Sequence, residues 1–327
     1  MRRAVAAMMI VAILALAWAG GWFWLAGWAD RNAAAVFREF AERGIDIECS
    51  GRRVIGFPFA LRMVCADTAI AERTSGVQAR LAGLTGGASV FAPTTAEIAL
   101  ASPAQVQSRF LEGPADVEWE AADVDVGMGL NGPQTLAFSA RNVAVMLPLS
   151  EIADPRVAAA SAAGTLAPSD DGGTDAAVTF VDLAVETEGK VFPKVSGRAA
   201  ARLSVPPRAL LAGRAGVRLP VSARAIDVSL ASGDARLDAE GELSLDAQGI
   251  VDGSLVLRVA GAEGLPALFA TLPPDQQPLA NAMAGALFVV GRPTTVDGQP
   301  ASEISVEIAR GVARVGMVEI TLPRLRL

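Results

Sequence analysis

The stretch SLVLRV at residues 254–259 carries an apolar residue at every second position. Successive side chains of a strand point to opposite faces, so this spacing predicts a strand with one apolar face. The same spacing returns in ELSLD at residues 242–246 and in EISVEI at residues 303–308. We expect these strands to share an apolar face that consists of Leu243, Leu245, Leu255, Leu257, Val259, Ile304, Val306 and Ile308.

Alternation of this kind extends over much of the chain. It recurs in DVEWE at residues 116–120, AIDVSL at residues 225–230 and VEITL at residues 318–322. Short turn segments such as DAQG at residues 246–249 separate the runs, which favours antiparallel strands over βαβ units. The sequence therefore predicts a mainly β protein. Its strands form either one long curved antiparallel sheet or two β-subdomains, after an N-terminal transmembrane helix and with a short helical insert.

The N-terminal segment, residues 1–29, has the pattern of a transmembrane signal-anchor. Arg2 and Arg3 precede an uncharged run over residues 4–29, which as a helix reaches about 39 Å and spans a bilayer with some tilt. Basic residues favour the cytoplasmic side, and indole rings favour the membrane–water interface. We expect the outer part of the helix to carry the interfacial residues Trp18, Trp22, Trp24 and Trp28.

A cleaved signal peptide is the alternative interpretation of this segment. Ala17-Trp18-Ala19 has the small-x-small form that signal peptidase accepts. Cleavage there leaves the apolar residues 21–25 exposed at the new N-terminus, which favours a retained anchor. Both interpretations place the rest of the chain outside the cytoplasm. With a retained anchor, the protein is expected to be a single-pass inner-membrane protein whose main domain is periplasmic.

The remaining sequence divides by changes in its hydrophobic period. Residues 30–44 follow a helical period, predicting a juxtamembrane helix that either forms a stalk or packs on the first sheet. Residues 45–150 form a first β region, and the Ala-, Ser- and Gly-rich residues 151–175 suit a flexible linker or long loop. Residues 176–327 form a second β region. Its insert at residues 264–290 is predicted to hold two short helices, which either plug one end of a sheet or act as a lid or membrane-touching element.

Cys49 and Cys65 are the only cysteines of the chain. In an exported domain we expect them to form a disulfide between neighbouring strands. Such a bridge closes a loop of about 17 residues and stabilises the fold by roughly 3 kcal/mol in the chain-entropy model. Two unpaired buried thiols are the alternative.

Composition excludes several classes of function. The formal net charge is -7, and an acidic chain repels phosphate backbones, so no nucleic-acid partner is expected. The chain has no histidine, which removes the commonest general base and zinc ligand. Paired carboxylates such as Asp123 and Asp125 are two residues apart on a predicted strand, so they share one face of it. We interpret that face as the solvent-exposed one. We therefore expect no enzyme activity, no catalytic residue, no metal site and no cofactor.

The element GFPF at residues 56–59, with Leu61 and Cys65 after it, resembles a family catalogued as domain of unknown function 2125. In that alphaproteobacterial family a Gly-aromatic-Pro-Phe element follows a signal-anchor in the same way. The resemblance covers nearly the whole chain. It implies no known activity and no catalytic residues.

A fainter resemblance is to the AsmA-like and TamB-like envelope proteins. Residues 241–249 and the terminal GVARVG at residues 311–316, followed by Leu322-Pro323, are similar to their closing strands. This resemblance implies a membrane anchor and a curved sheet with an apolar trough that serves lipid movement. The chain is much shorter than most of those proteins, which puts transport across the whole periplasm in doubt.

Two functions fit these features. The first is a binding module in envelope maintenance, whose apolar face holds membrane lipid or another apolar ligand, because such a face needs a covering layer, a partner or a ligand. The second is a structural or assembly partner of other envelope proteins, without a small-molecule ligand. Lipid that co-purifies with the exported domain would discriminate between them.

Overall fold

The architecture is that of a computed structural model. It describes residues 2–42, 44–73, 75–109, 111–130, 132–149, 155–187, 190–211, 219–261, 291–296, 298–315, 318–322 and 324. The predicted fold class is confirmed, since strands dominate these residues and one long apolar helix precedes them. By contacts within the chain, Met1–Met128 with Val145–Asp154 form unit 1, and Gly129–Ala144 with Pro155–Leu327 form unit 2.

The N-terminal helix α1 spans Arg2–Glu42 without interruption. The predicted segments 1–29 and 30–44 are therefore parts of one helix. Its sequence is rich in Ala and lacks proline, so the apolar and amphipathic parts join in one continuous helical backbone. At its end the Gly44 N–H donates to the Ala41 carbonyl at 3.0 Å. Within Met8–Glu42 the most apolar window has a mean hydropathy of 1.9, long and apolar enough to cross a membrane.

Unit 1 contains an antiparallel sheet beside α1. Its strands are β1 Ile45–Ser50, β2 Arg53–Ile55, β3 Ala60–Cys65, β4 Asp67–Glu72, β5 Val77–Ser89, β6 Ala92–Gln107, β7 Ala115–Glu118 and, up to the unit boundary, β8 Ala121–Gly129. The long strand β5 pairs with β3 over one half and with β4 over the other. On the edges of β3 and β4 that face away from β5, β2 pairs with β3 and β1 pairs with β4. The helix α1 packs on β1 and β2, as one of the two predictions for residues 30–44 expects.

A disulfide joins Cys49 at the end of β1 to Cys65 at the end of β3. The two Cα atoms are 5.2 Å apart, and Cys65 is buried. The Ala66 N–H donates to the Ser50 carbonyl at 2.8 Å beside the bridge. The bridge thus joins the strand pair β1–β4 to the strand pair β2–β3.

An ion pair lies at the end of the β1–β4 strand pair opposite the disulfide. The Arg73 guanidinium donates from Nε to Asp46 at 2.7 Å, and the Arg73 N–H donates to the Gly44 carbonyl at 2.9 Å. The hydrogen bond from Arg73 holds the pKa of Asp46 below its usual range. The contact joins the start of β1, directly after α1, to the end of β4.

Replacing Asp46 with asparagine is expected to lower the melting temperature of unit 1 in a pH-dependent way. Because the folded pKa of Asp46 is depressed, its carboxylate contributes stability above the unfolded pKa of about 3.9. That contribution is lost as the pH falls through the lower folded pKa. The difference in melting temperature between the wild type and Asp46→Asn should therefore be largest at neutral pH and become smaller in acid. Thermal denaturation over a pH series measures it, and Arg73→Gln should give the same profile. A difference that is independent of pH would contradict this assignment.

Unit 2 is built from long antiparallel strands. They are β9 Gly132–Met146, which belongs to this unit up to Ala144, β10 Arg156–Pro168, β11 Thr174–Thr187, β12 Lys190–Val191, β13 Val195–Leu203, β14 Val221–Ser232, β15 Ala235–Leu245, β16 Val251–Ala260, β17 Arg292–Val296, β18 Gln299–Ala309, β19 Val312–Val315 and β20 Val318–Thr321. Hydrogen-bonded neighbours run in the order β10, β11, β13, β14, β15, β16, β18, β19, β20. A short helix, α2 Pro207–Leu211, follows β13.

Two predictions about unit 2 need comment. The linker predicted at residues 151–175 is wrong for Arg156–Pro168, which form the regular strand β10. Alanine-rich composition suggests a loop, but here small side chains occupy both faces of a strand that pairs with β11 over most of its length. The helical insert predicted at residues 264–290 lies outside the described residues.

Candidate apolar binding trough

One face of unit 2 is apolar across seven strands. Residues paired directly across neighbouring antiparallel strands point to the same face, so the register identifies that face. One continuous row across it consists of Gly164, Val178, Ala199, Val228, Ala239, Leu257 and Ile304. We call this surface, together with the residues at every second position from it along each strand, the apolar face.

The eight residues predicted to line a lipid-binding surface belong to the apolar face. Leu257 pairs with Ile304, and Leu255 pairs with Val306. The remaining four predicted residues, Leu243, Leu245, Val259 and Ile308, are two or four positions from residues of that face on their own strands. The structure thus brings all eight together on β15, β16 and β18.

These eight residues do not form an open surface, however. Ile304, Val306 and Ile308 are buried in a core cluster with Ala313, and Leu243, Leu255 and Leu257 pack against that cluster. Val259 is buried as well. This end of the apolar face is closed, so the ligand-binding role predicted for these residues stays a prediction.

The open part of the apolar face lies on β9, β10, β11, β13 and β14. It forms a concavity of about 440 Å³, which we call the trough. Its lining consists of Leu136, Phe138, Thr165, Leu166, Ala176, Ala177, Val178, Ala199, Ala200, Ala201, Ala223, Ile226 and Val228. The volume is within the range of small-molecule binding sites.

Small residues in the middle strands create the hollow. Along the centre the face carries Ala176, Ala199 and Ala201, whereas the larger Phe138 and Ile226 lie on the flanking strands β9 and β14. An apolar sheet face with one-carbon side chains at its centre and larger ones at its margins is concave. Sequence reasoning missed these residues because it searched for Leu, Ile and Val. The available signal is the occurrence of alanine runs in β10, β11 and β13.

Glycine permits close approach of an aromatic ring at the margin of the trough. A Cβ on Gly164 would lie 2.3 Å from Cε1 of Phe138, so the ring lies directly over the glycine. In the same way a Cβ on Gly197 would lie 2.8 Å from Cζ of Phe180. Both contacts require the absence of a side chain. The glycines therefore allow these rings to lie close to the sheet.

The reverse face of the same strands is charged. Arg202 pairs with Asp175 at 2.8 Å, and Arg258 contacts Glu303 at 2.9 Å and Glu240 at 3.0 Å. The hydrogen bonds that Arg258 donates to the carboxylates of Glu303 and Glu240 raise its pKa above the usual value, so it stays cationic. Exposed pairs of this kind contribute little stability, but they keep that face in water. The trough is therefore the apolar side of an amphipathic sheet.

The lining of the trough is almost entirely apolar. Among its lining residues Thr165 has the only polar side chain. Within the part of the chain that the structure describes, no group of three or more Cys, Asp or Glu side chains could hold a metal ion. The lining thus suits an apolar ligand held by burial, because it offers almost no hydrogen-bonding partner.

The predicted membrane-interface residues lie along α1. Arg2 and Arg3 are in its first turn. Trp24 and Trp28 are 67% and 49% exposed, and Trp18 is 50% exposed. These are the exposures expected of side chains that face a surrounding medium. Trp22 instead packs its ring against Phe57 of unit 1, with centroids 5.4 Å apart.

Comparison with known proteins gives one match. Neither the curated proteins nor the solved structures contain a match, so the similarity to AsmA-like and TamB-like proteins has no support there. A family model does match residues 22–322, from the middle of α1 to just after the end of β20. This confirms the resemblance carried by the Gly-Phe-Pro-Phe element. The chain belongs to the bacterial family described as "Uncharacterized protein conserved in bacteria (DUF2125)".

Proposed function

We propose that this protein is a single-pass inner-membrane protein whose β units lie in the periplasm, and that its trough binds the acyl chain of a membrane lipid in envelope maintenance. The observation that carries this proposal is the open trough itself, an apolar concavity on a sheet whose reverse face is ionic. Burial of an acyl chain is favourable by about 0.8 kcal/mol per methylene. Several methylenes in the trough are enough for stable capture.

Charge and redox chemistry support the proposed topology. Arg2 and Arg3 precede the uncharged segment of α1, as is typical of a cytoplasmic N-terminus. The disulfide between Cys49 and Cys65 requires an oxidising compartment to persist. The net charge of -7 disfavours nucleic acid, and the apolar lining favours binding over catalysis.

A fusion of alkaline phosphatase to the C-terminus should be active in cells, because that enzyme needs its own disulfides and so works only after export. A green fluorescent protein fusion at the same position, exported through the same route, should be dark. The protein should stay in the membrane fraction after carbonate washing. A bright fluorescent fusion with an inactive phosphatase would refute the periplasmic location.

Photolabelling tests the lipid-binding proposal directly. Full-length protein is reconstituted into vesicles of phosphatidylethanolamine and phosphatidylglycerol that contain a phospholipid with a diazirine in its acyl chain. After illumination, peptide mass spectrometry should find lipid adducts on β10, β11, β13 and β14, in addition to those on α1. Adducts confined to α1 would show that the trough holds no lipid, and a structural role in envelope assembly would then be the better proposal.

A further inference from the structure

Two hairpin turns at one end of unit 1 expose aromatic side chains. The turn between β2 and β3 carries Phe57 and Phe59, which are 49% and 54% exposed. The turn between β5 and β6 carries Phe91, which is 80% exposed. The rings of Phe59 and Phe91 are 5.7 Å apart, so the two turns form one surface. We call it the aromatic tip.

The aromatic tip lies against the apolar part of α1. The Trp18 indole donates to the Pro58 carbonyl at 3.1 Å, and the Trp22 indole donates to the Ala60 carbonyl at 2.8 Å. The rings of Phe23 and Phe57 stack with their centroids 5.6 Å apart. These contacts fix the tip beside the second half of the uncharged segment of the helix.

The helix provides a scale for depth. About 20 residues cross a hydrocarbon core of ~30 Å, so a core that begins after Arg3 ends near Phe23. The helix rises about 18 Å from Trp18 to Asp30, and Arg52 pairs with Asp30 at 2.7 Å. The Arg52–Asp30 ion pair of unit 1 is therefore outside the hydrocarbon core of the bilayer. Trp18 and Pro58 are at a depth just inside that core.

The charges of unit 1 are absent from the tip. Residues 54–61 and residues 81–96, which form the two turns and their approaches, contain no charged residue. The charges that directly follow the two segments, Arg62 and Glu97, pair with each other at 2.9 Å. The sequence thus changes from charged to apolar at the same end of the sheet as the turns.

Several backbone groups of the tip are paired within the protein. The Gly56 carbonyl accepts from the N–H groups of Phe59 and Ala60, and the Phe59 carbonyl accepts from Val90 at 2.9 Å. The carbonyls of Pro58 and Ala60 accept from the two indoles. Backbone that enters a lipid phase must be paired internally, because unpaired polar groups there cost several kcal/mol. An exposed turn in water has no such requirement.

From this geometry we infer that the aromatic tip inserts into the outer leaflet of the membrane that α1 spans, at the boundary of headgroups and acyl chains. The insertion depth is that of other interfacial elements, about 5–10 Å. Unit 1 is then held against the bilayer by α1 and by the tip together. This inference rests on the proposed membrane anchor, but not on the lipid-binding role of the trough.

Site-specific crosslinking of the full-length protein tests the inference. The photoreactive amino acid p-benzoylphenylalanine is placed at Phe91 in one variant and at Gln78 in another, and cell membranes are illuminated. Gln78 is exposed at the other end of β5, roughly 40 Å away along the strand. A third variant carries the label at Ile13, which is 64% exposed on α1.

The expected result is phospholipid adducts at Ile13 and at Phe91, with the Phe91 yield at least about tenfold above that at Gln78. Adducts at Ile13 but none at Phe91 would overturn the inference and leave the anchor intact. An absence of adducts at Ile13 as well would refute the anchor, and the inference with it. Adducts of Phe91 to a second copy of the chain or to another protein, in place of lipid, would also overturn it.

Discussion

Replacement of Val178 by aspartate is expected to lower lipid labelling of the trough at least about tenfold. Val178 lies at the centre of the trough and is 40% exposed. In the free protein a carboxylate at this position stays in contact with water, so the fold should tolerate it. An acyl chain in the trough would remove that water, and burial of an unpaired carboxylate costs several kcal/mol. Each 1.4 kcal/mol of that cost corresponds to about a tenfold loss of affinity.

The matched control is Thr179→Asp. Thr179 is the next residue on β11, it is exposed, and alternation turns its side chain to the reverse face of the sheet. The same charge is therefore added on the same strand, one position away. Diazirine labelling in vesicles, normalised to the labelling of α1 in the same sample, should fall for Val178→Asp alone. Equal labelling of both variants, with unchanged melting temperatures, would refute the trough as the lipid site.

Ala199→Leu tests volume in place of polarity. Ala199 lies between Val178 and Val228 on neighbouring strands. A leucine there fills part of the hollow with apolar atoms, so we expect weaker labelling without loss of fold stability. If Ala199→Leu and Val178→Asp both weaken lipid labelling, the loss is due to the altered binding site and not to the added charge alone.

Removal of the disulfide is expected to cause the largest loss of stability. The double variant Cys49→Ala/Cys65→Ala opens a loop of about 17 residues, at a cost of roughly 3 kcal/mol in the chain-entropy model. For a domain of this size such a loss lowers the melting temperature by roughly 6–12 °C. The bridge joins the two strand pairs of unit 1, and Cys65 is buried, so unit 1 should show the effect.

The reducing agent dithiothreitol provides the control for this prediction. It should lower the melting temperature of the wild type towards that of the double variant, and it should leave the variant unchanged. Scanning calorimetry in detergent measures both values. A wild type insensitive to dithiothreitol, with cysteines that alkylate without reduction, would show that the bridge does not form in cells and would remove one support for the periplasmic location.

Much of the fold follows from local sequence. The period of two in residues 254–259 and 303–308 predicts β16 and β18, and both strands are present. The spacing of the apolar residues within residues 30–44 predicts a helix, which is present up to Glu42. The strand β10 is not predicted from the sequence, because its alanines fall on both faces of the strand and give no hydrophobic period of two.

Sequence by itself determined the helix, the strands of strong alternation and the side of each strand that is apolar. These properties depend on neighbours two to four residues apart, so a single stretch contains them. Only the tertiary structure decided where the apolar face is closed and where it is open. Register aligns Leu257 with Ile304 in a packed core, but Val178 with Ala199 in a hollow. That difference depends on the summed volume of side chains from five strands, which no single stretch of sequence specifies.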